Sequence, residues 1–186
     1  MSAALPQPIQ GRECGECTVC CVDLKIDDPE LQKDDDVVCP HMVAHKGCSI
    51  YDHRPMTCRN WQCGWRLIKL SDAMRPDRSK ILLAPEIGTT PGYEKGGLRV
   101  VFVGGQIPDV YPDELLNLAG QMVANGVPLF LSHGSGKFGK RILANELLKP
   151  VVKAGDRAGF INVLNNILSR MAQQVTAEMA AAQNTP

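Results

Sequence analysis

The sequence predicts an α+β fold, in which a small cysteine-rich N-terminal region packs on a C-terminal part with a few strands and three helices. Two observations support this prediction. All eight cysteines of the 186 residues lie between Cys14 and Cys63, and residues 11–66 contain few aliphatic side chains. After Leu67 the chain alternates apolar runs with helical patterns. We therefore expect a cysteine-cluster region at 11–66 and an α+β part at 67–180, packed as one globular unit.

Three apolar runs in the second part predict strands. ILLAPE (81–86) and LRVVFVGG (98–105) are rich in aliphatic residues, and the second run ends in glycines. VPLFL is a shorter apolar run that follows a predicted helix, and we expect it to be a third strand.

Three further stretches predict helices. Residues 112–126 begin with Pro-Asp-Glu, which suits a first turn, and end at Gly126. Residues 140–153 are expected to be helical at least as far as Pro150. The last helix is expected to begin with Asp156 as its cap and to fray from Ala180 onward. Its apolar stripe consists of Phe160, Leu164, Ile167, Met171 and Val175.

The formal net charge is zero, with residues 11–66 at about −3 and the remainder at about +3. Proteins that bind nucleic acid or anionic membranes usually carry a basic footprint, so we expect neither partner. The N-terminal stretch MSAALPQPIQ lacks the basic and apolar segments of a signal peptide. No apolar run reaches the ~18 residues of a membrane span. These features predict a cytoplasmic protein.

In a reducing cytoplasm, many cysteines indicate metal ligation or redox chemistry rather than disulfides. Cys14, Cys17 and Cys20 repeat a C-x-x-C step, and Gly15 eases the first turn. The same spacing occurs in ferredoxin-type iron–sulfur sites and in zinc knuckles. A segment so poor in aliphatic residues also needs another source of stability, which a metal supplies.

The adjacent pair Cys20 and Cys21 requires a separate interpretation. Neighbouring side chains usually point in different directions, so one of the two is expected to ligate the first centre. The other either serves a second centre or packs as a small apolar side chain. Eight cysteines permit two four-cysteine sites but do not require them.

The downstream cysteines have basic and aromatic neighbours. These cysteines are Cys39, Cys48, Cys58 and Cys63, and the nearby bases are Lys46, Arg54, Arg59 and Arg66. Four thiolates on Zn²⁺ or on a [4Fe–4S]²⁺ core carry a net charge of −2, which such bases would offset. The alternative is that the bases form a solvated surface. Trp61 and Trp65 either shield the centre from water or belong to a local core.

The whole pattern resembles the CxxCxxCC cysteine-cluster family, whose members are described as zinc- or iron-chelating domain proteins. The residues that carry the resemblance are Cys14, Cys17, Cys20, Cys21, Cys39, Cys48, Cys58 and Cys63, with Tyr51, Arg54, Pro55 and Arg59. It covers about residues 12–66. The resemblance implies metal ligation by the eight cysteines and no particular reaction. A related cluster accompanies flagellin lysine methylases, which implies an iron–sulfur option.

Other motifs give weaker signals. HGSGKFGKR (133–141) resembles a P-loop, but Arg141 stands where Ser or Thr should bind Mg²⁺. His41 and His45 are four residues apart and either supply a zinc ligand or lie at the surface. DDPELQKDDD (27–36) reads as a solvated acidic loop rather than a cation site. We identify no catalytic constellation.

Two functions follow from these features. The first is a protein with an iron or iron–sulfur centre for electron transfer, redox sensing or an accessory role to a protein partner. Tyr51, Arg54 and Arg59 would form the shell around its ligands. The second is a zinc-structured protein-interaction module without a redox role. A thiol–disulfide oxidoreductase would need one exposed, acidic pair of thiols and would not explain eight cysteines.

Overall fold

The computed structural model describes residues 7–86, 91–94, 96–134 and 140–183, and it confirms the α+β class. The helices in these residues are α1 (Val19–Asp23), α2 (Met56–Asn60), α3 (Gly64–Leu67), α4 (Pro76–Ser79), α5 (Asp113–Ala124), α6 (Asn145–Lys153) and α7 (Arg157–Gln183). The strands are β1 (Ile26–Asp28), β2 (Leu31–Lys33), β3 (Met42–Val43), β4 (Gly47–Cys48), β5 (Ile81–Glu86), β6 (Gly97–Phe102), β7 (Leu129–His133) and β8 (Lys140–Leu143).

A four-stranded sheet forms the centre of the C-terminal part. Its strand order is β5-β6-β7-β8, with β6 and β7 parallel and the two outer pairs antiparallel. Helix α5 connects the two parallel strands, because such a pair cannot be joined by a tight turn. Successive residues are buried in β5, β6 and β7, so both faces of the sheet are covered.

The predicted strands are confirmed with small changes at their ends. β5 has the predicted bounds, and VPLFL contributes the first three residues of β7. β6 stops at Phe102, because Gly104 and Gly105 adopt the left-handed conformation (φ 61° and 69°) in a short 3₁₀ turn. The predicted helix at 112–126 is α5.

The prediction of a helix from residue 140 is wrong in its first four residues. Lys140–Leu143 form β8, which pairs with β7, and helix α6 begins only at Asn145. The buried amide of Asn145 explains the break. Its Oδ1 accepts a hydrogen bond from the Leu129 N–H (2.8 Å), and its Nδ2 donates to the Val127 carbonyl (2.9 Å). This tertiary link overrides the helical pattern of the segment.

The last helix has the predicted cap and core stripe. Asp156 Oδ1 accepts a hydrogen bond from the Gly159 N–H (2.8 Å) at the first turn of α7. Phe160, Leu164, Ile167 and Met171 are buried, whereas Val175 is half-buried. The helix continues through exposed residues to Gln183, beyond the predicted fraying point. Among the described helices, none combines the length and apolar character needed to cross a membrane.

The cysteine-rich part is built from very short elements. β1 pairs with β2, and β3 pairs with β4, as two separate antiparallel hairpins. A small apolar core of Ile26, Leu31 and Cys39 lies under the first hairpin. Two-stranded hairpins of this size are at best marginally stable alone, so the segment needs further links to hold its shape.

Arg12 fastens the start of this segment to α3. Its guanidinium donates hydrogen bonds to the carbonyl of Trp65 within α3 and to those of Ile68 (2.6 Å) and Leu70 after the helix. Its Cζ also lies 5.1 Å from the centroid of the Trp65 ring. The carbonyls at a helix C-terminus lack partners within the helix, and Arg12 satisfies them from outside.

We therefore expect Arg12→Ala to lower the free energy of unfolding by roughly 2–3 kcal/mol, since hydrogen bonds from a charged donor are worth more than neutral ones. Urea denaturation would measure it. Arg78→Ala is the control, because the Arg78 side chain is half-exposed and its ion pair with Asp72 is long, at 4.0 Å. Equal stability of the two variants would show that Arg12 does not fasten the segment.

Candidate metal centre

All eight cysteines line one cavity of about 280 Å³. They come from six different places in the chain, namely the first loop, α1, the loop before β3, strand β4, α2 and the residue before α3. None is in a disulfide bond. Trp61 and Trp65 also line the cavity, where both screen the thiols. Trp65 at the same time belongs to the main core, so the two interpretations of these tryptophans are compatible.

A tight turn brings Cys14 and Cys17 together. The Cys17 N–H donates a hydrogen bond to the Cys14 carbonyl (3.0 Å), and Gly15 takes the positive φ (54°) that this turn requires. Burial raises the pKa of the Cys17 thiol to about 11. Without a bound metal ion, this thiol is therefore protonated at neutral pH.

Helix α1 places Cys20 and Cys21 side by side at the cavity. Their side chains form a hydrogen bond, with Cys20 as the donor. The bond raises the pKa of Cys20, and burial raises it further. Accepting the same bond lowers the pKa of Cys21 to about 7, helped by Lys33 and Arg54 against the opposing effect of burial. The pair is half-buried, unlike the exposed pair that an oxidoreductase would need.

The middle cysteines converge through the second hairpin and α2. The Cys39 N–H donates to the Cys21 carbonyl (2.9 Å), which ties the loop before β3 to α1. Cys48 lies on β4, opposite Met42. Cys58 lies on α2, whose first turn is fixed by Asp28, because Asp28 Oδ2 accepts the Thr57 N–H (3.1 Å).

Cys63 precedes α3 and belongs to the main core. It is 9% exposed, and its helix approaches the sheet closely, because a Cβ on Gly64 would lie 2.6 Å from the Leu83 Cβ. Burial raises the pKa of the Cys63 thiol, and Arg66 partly opposes this shift. The packing of α3 against the sheet, rather than contact with the other cysteines, therefore positions Cys63 at the cavity.

Tyr51 and Arg54 lie against the thiols, as the sequence predicts. The Arg54 Cζ is 3.7 Å from the centroid of the Tyr51 ring, and its Nε donates to the Tyr51 carbonyl (2.8 Å). Tyr51 hydrogen-bonds with the Cys14 side chain. Arg54 lines the cavity and favours the thiolate forms of Cys48 and Cys58.

The two other predicted bases, Arg59 and Lys46, do not reach the cavity. Arg59 is exposed, and its Nε donates to the Arg54 carbonyl rather than approaching a sulfur. Lys46 is exposed in the turn between β3 and β4. Arg59 therefore supports the backbone of Arg54. Although Arg59 follows Cys58 directly in the sequence, its side chain does not line the thiol cavity.

Residues outside the motif supply contacts that sequence reasoning missed. Arg75 lines the cavity and makes two hydrogen bonds of 2.7 Å to Asp77, while interacting with Cys17. Lys33 is 7% exposed, and its Nζ donates to the carbonyls of Val22 (3.0 Å) and Asp34 (2.9 Å). The sequence around Arg75 and Lys33 does not indicate that they lie near the thiols, because the tertiary fold brings their segments there.

The structure treats the three weaker sequence motifs differently. His41 lines the cavity, whereas His45 is exposed with a positive φ of 59°, so the two do not share a helical face. The stretch at 27–36 is a hairpin with a buried Asp28 rather than a solvated loop. Two backbone donors, Glu30 and Thr57, lower the pKa of Asp28. Most of the P-loop-like stretch, residues 135–139, lies outside the described residues.

The donor set matches thiophilic metals in kind and number. Thiolate sulfur suits zinc and iron–sulfur centres. Burial raises the pKa of several of these thiols, including Cys17 and Cys63, so a bound metal ion would favour their ionised form. Among the residues that the structure describes, no three or more His, Cys, Asp or Glu side chains are arranged to hold a metal ion. The cysteines surround the cavity without closing a coordination sphere, so binding would have to draw them inward.

In comparisons with known proteins, no family model, curated protein or solved structure matches the chain. The resemblance to the cysteine-cluster family therefore stays a prediction from the motif.

Proposed function

We propose that this protein is a metal-binding cysteine-cluster protein whose thiols hold an iron or iron–sulfur centre. The centre would serve electron transfer, redox sensing or an accessory role to a protein partner. One observation carries the proposal: eight cysteines from six places in the chain line a single cavity. A purely structural role for small apolar side chains would not require eight thiols at one cavity.

The number of thiols exceeds what one zinc ion requires. A single tetrahedral Zn²⁺ takes four thiolate ligands, whereas eight thiols line the cavity. Thiolates suit iron–sulfur clusters as well as zinc. The resemblance to a cluster that accompanies flagellin lysine methylases is the reason for placing iron–sulfur first.

The cavity wall suits a redox centre. Apolar side chains including Val19, Leu82 and the two tryptophans limit access of water, while Arg54 and Arg66 bring positive charge. Both features tune the reduction potential of a bound cluster. A reducing cytoplasm would keep the cysteines available as ligands.

Metal analysis of anaerobically purified full-length protein tests the proposal. We expect a brown preparation with stoichiometric iron and acid-labile sulfide. A colourless preparation with stoichiometric zinc would favour the zinc-structured interaction module instead. Protein that takes up neither metal, with eight reactive thiols, would contradict both functions.

The positions of Arg54 and Arg59 predict which of the two arginines supports metal binding. Arg54→Ala should lower metal retention about 10–100-fold, which is typical for removal of a group supporting metal ligands. Competition against a chromophoric chelator would measure the change. Arg59→Ala should have a smaller effect, since its side chain reaches only the Arg54 carbonyl. Arg78→Ala is the control, and equal retention in all three variants would remove Arg54 from the site.

A further inference from the structure

Five of the eight cysteines pack against one of two separate apolar cores. Cys17 and Cys63 pack with the main core around the sheet, whereas Cys21, Cys39 and Cys58 pack with the small core under the first hairpin. Each of these five cysteines is therefore attached to one of two packing units that meet at the cavity.

Proximity among the remaining side chains follows the same division. On the side of the main core, Cys14 interacts with Cys20 and Cys63, and Cys17 with the same two residues. On the side of the small core, Cys58 interacts with Cys21, Cys39 and Cys48, and Cys48 interacts with Cys21 and Cys39. The link between the sets is the contact of Cys20 with Cys21.

Each set also has its own cations. Arg66 and Arg75 face the first set, through Cys63 and Cys17 respectively. Lys33 faces the second set through Cys21, and Arg54 reaches Cys21, Cys48 and Cys58. Two centres of charge −2 placed side by side would repel each other, so separate positive charges on each side are what two centres would require.

On the basis of the proposed metal-binding function, we propose that the cavity holds two four-thiolate metal sites rather than one. Site one consists of Cys14, Cys17, Cys20 and Cys63, and site two consists of Cys21, Cys39, Cys48 and Cys58. In this assignment the adjacent cysteines bind different metals: their interacting side chains lie at the boundary between the two sites, Cys20 with site one and Cys21 with site two. Both are ligands, and neither merely packs.

Zinc titration of the full-length, metal-free, reduced protein tests this division, because thiolates accept Zn²⁺ whichever metal they hold in the cell. We expect two equivalents bound per wild-type chain. Cys14→Ser and Cys39→Ser should each bind one. The same-site double variant Cys14→Ser/Cys17→Ser should still bind one, whereas the cross-site double variant Cys14→Ser/Cys39→Ser should bind none tightly.

Cys20→Ser and Cys21→Ser should each lose one equivalent as well. Full retention in either variant would overturn the assignment of that cysteine, and equal binding by the two double variants would overturn the division. One equivalent in the wild type would do the same while leaving metal binding itself intact. No zinc uptake at all would instead remove the proposed function.

A measurement on the wild type guards against variants that fail to fold. With one equivalent of Zn²⁺, alkylation and mass spectrometry of single chains should show four protected thiols that all belong to site one or all to site two. Protected sets drawn from both sites would contradict the proposal.

Discussion

Removal of the metal with a chelator that reaches the cavity should open the cysteine-cluster region to protease while residues 98–175 stay resistant. Elements of two to five residues cannot hold their shape by their own hydrogen bonds and burial. In small metal-dependent domains, binding of a structural metal supplies about 10–16 kcal/mol, which exceeds the stability of a typical domain. Limited proteolysis followed by mass spectrometry would locate the cuts.

The structure indicates which residues near the cysteine-cluster region should stay protected from protease after the metal is removed. Cys63 and Trp65 are buried in the main core beside the sheet, so α3 should remain protected after the metal leaves. Cuts are expected within residues 13–60. The control is the same chelator saturated with Zn²⁺ in advance. Equal resistance of the whole chain after verified metal loss would mean that the metal is not structural.

Gly47→Ala should strongly destabilise the cysteine-cluster region. A Cβ at Gly47 would lie 2.3 Å from the Gly15 carbonyl oxygen, a backbone atom that has no freedom to rotate away. Gly47 also has a φ of 92°, which side chains rarely adopt. The second hairpin would lose its docking on the Cys14–Cys17 turn, and Cys48 would be drawn away from the cavity.

The expected loss in unfolding free energy is about 4 kcal/mol or more, with most of the metal-binding capacity lost too. Gly11→Ala is a matched control. Gly11 has a similar φ of 80°, but no atom lies within 4 Å of its added Cβ. That change should cost about 1 kcal/mol from backbone strain alone. Equal stability of the two variants in urea would show that the contact between Gly47 and Gly15 is not tight.

The sequence predicted the C-terminal part better than the N-terminal part, for a physical reason. The apolar run ILLAPE and the helical stripe on α7 are patterns long enough to recognise, and both persist in the fold. The elements between residues 19 and 60 are too short for any period to show. β8 was mistaken for helix, because only its pairing with β7 and the tertiary bonds of Asn145 decide its structure.

The candidate site shows the same limit. Spacing predicted that the cysteines converge, and Tyr51 and Arg54 lie beside them as expected. Spacing could not separate Arg54 from Arg59, since each stands close in sequence to a cysteine. The tertiary structure separates them, because Arg54 lines the cavity whereas Arg59 is exposed. Arg12 and Arg75 act through segments distant in sequence, so no local pattern could identify them.

Differential alkylation of the cysteines tests the central claim most directly. The anaerobically purified native protein would be labelled with one isotopic form of an alkylating reagent, then unfolded, chelated and labelled with the other form. If the cysteines ligate metal, all eight should carry mainly the second label, together with stoichiometric metal in the native sample. Uniform first labelling of the half-buried cysteines in fully folded, metal-free protein would contradict the claim.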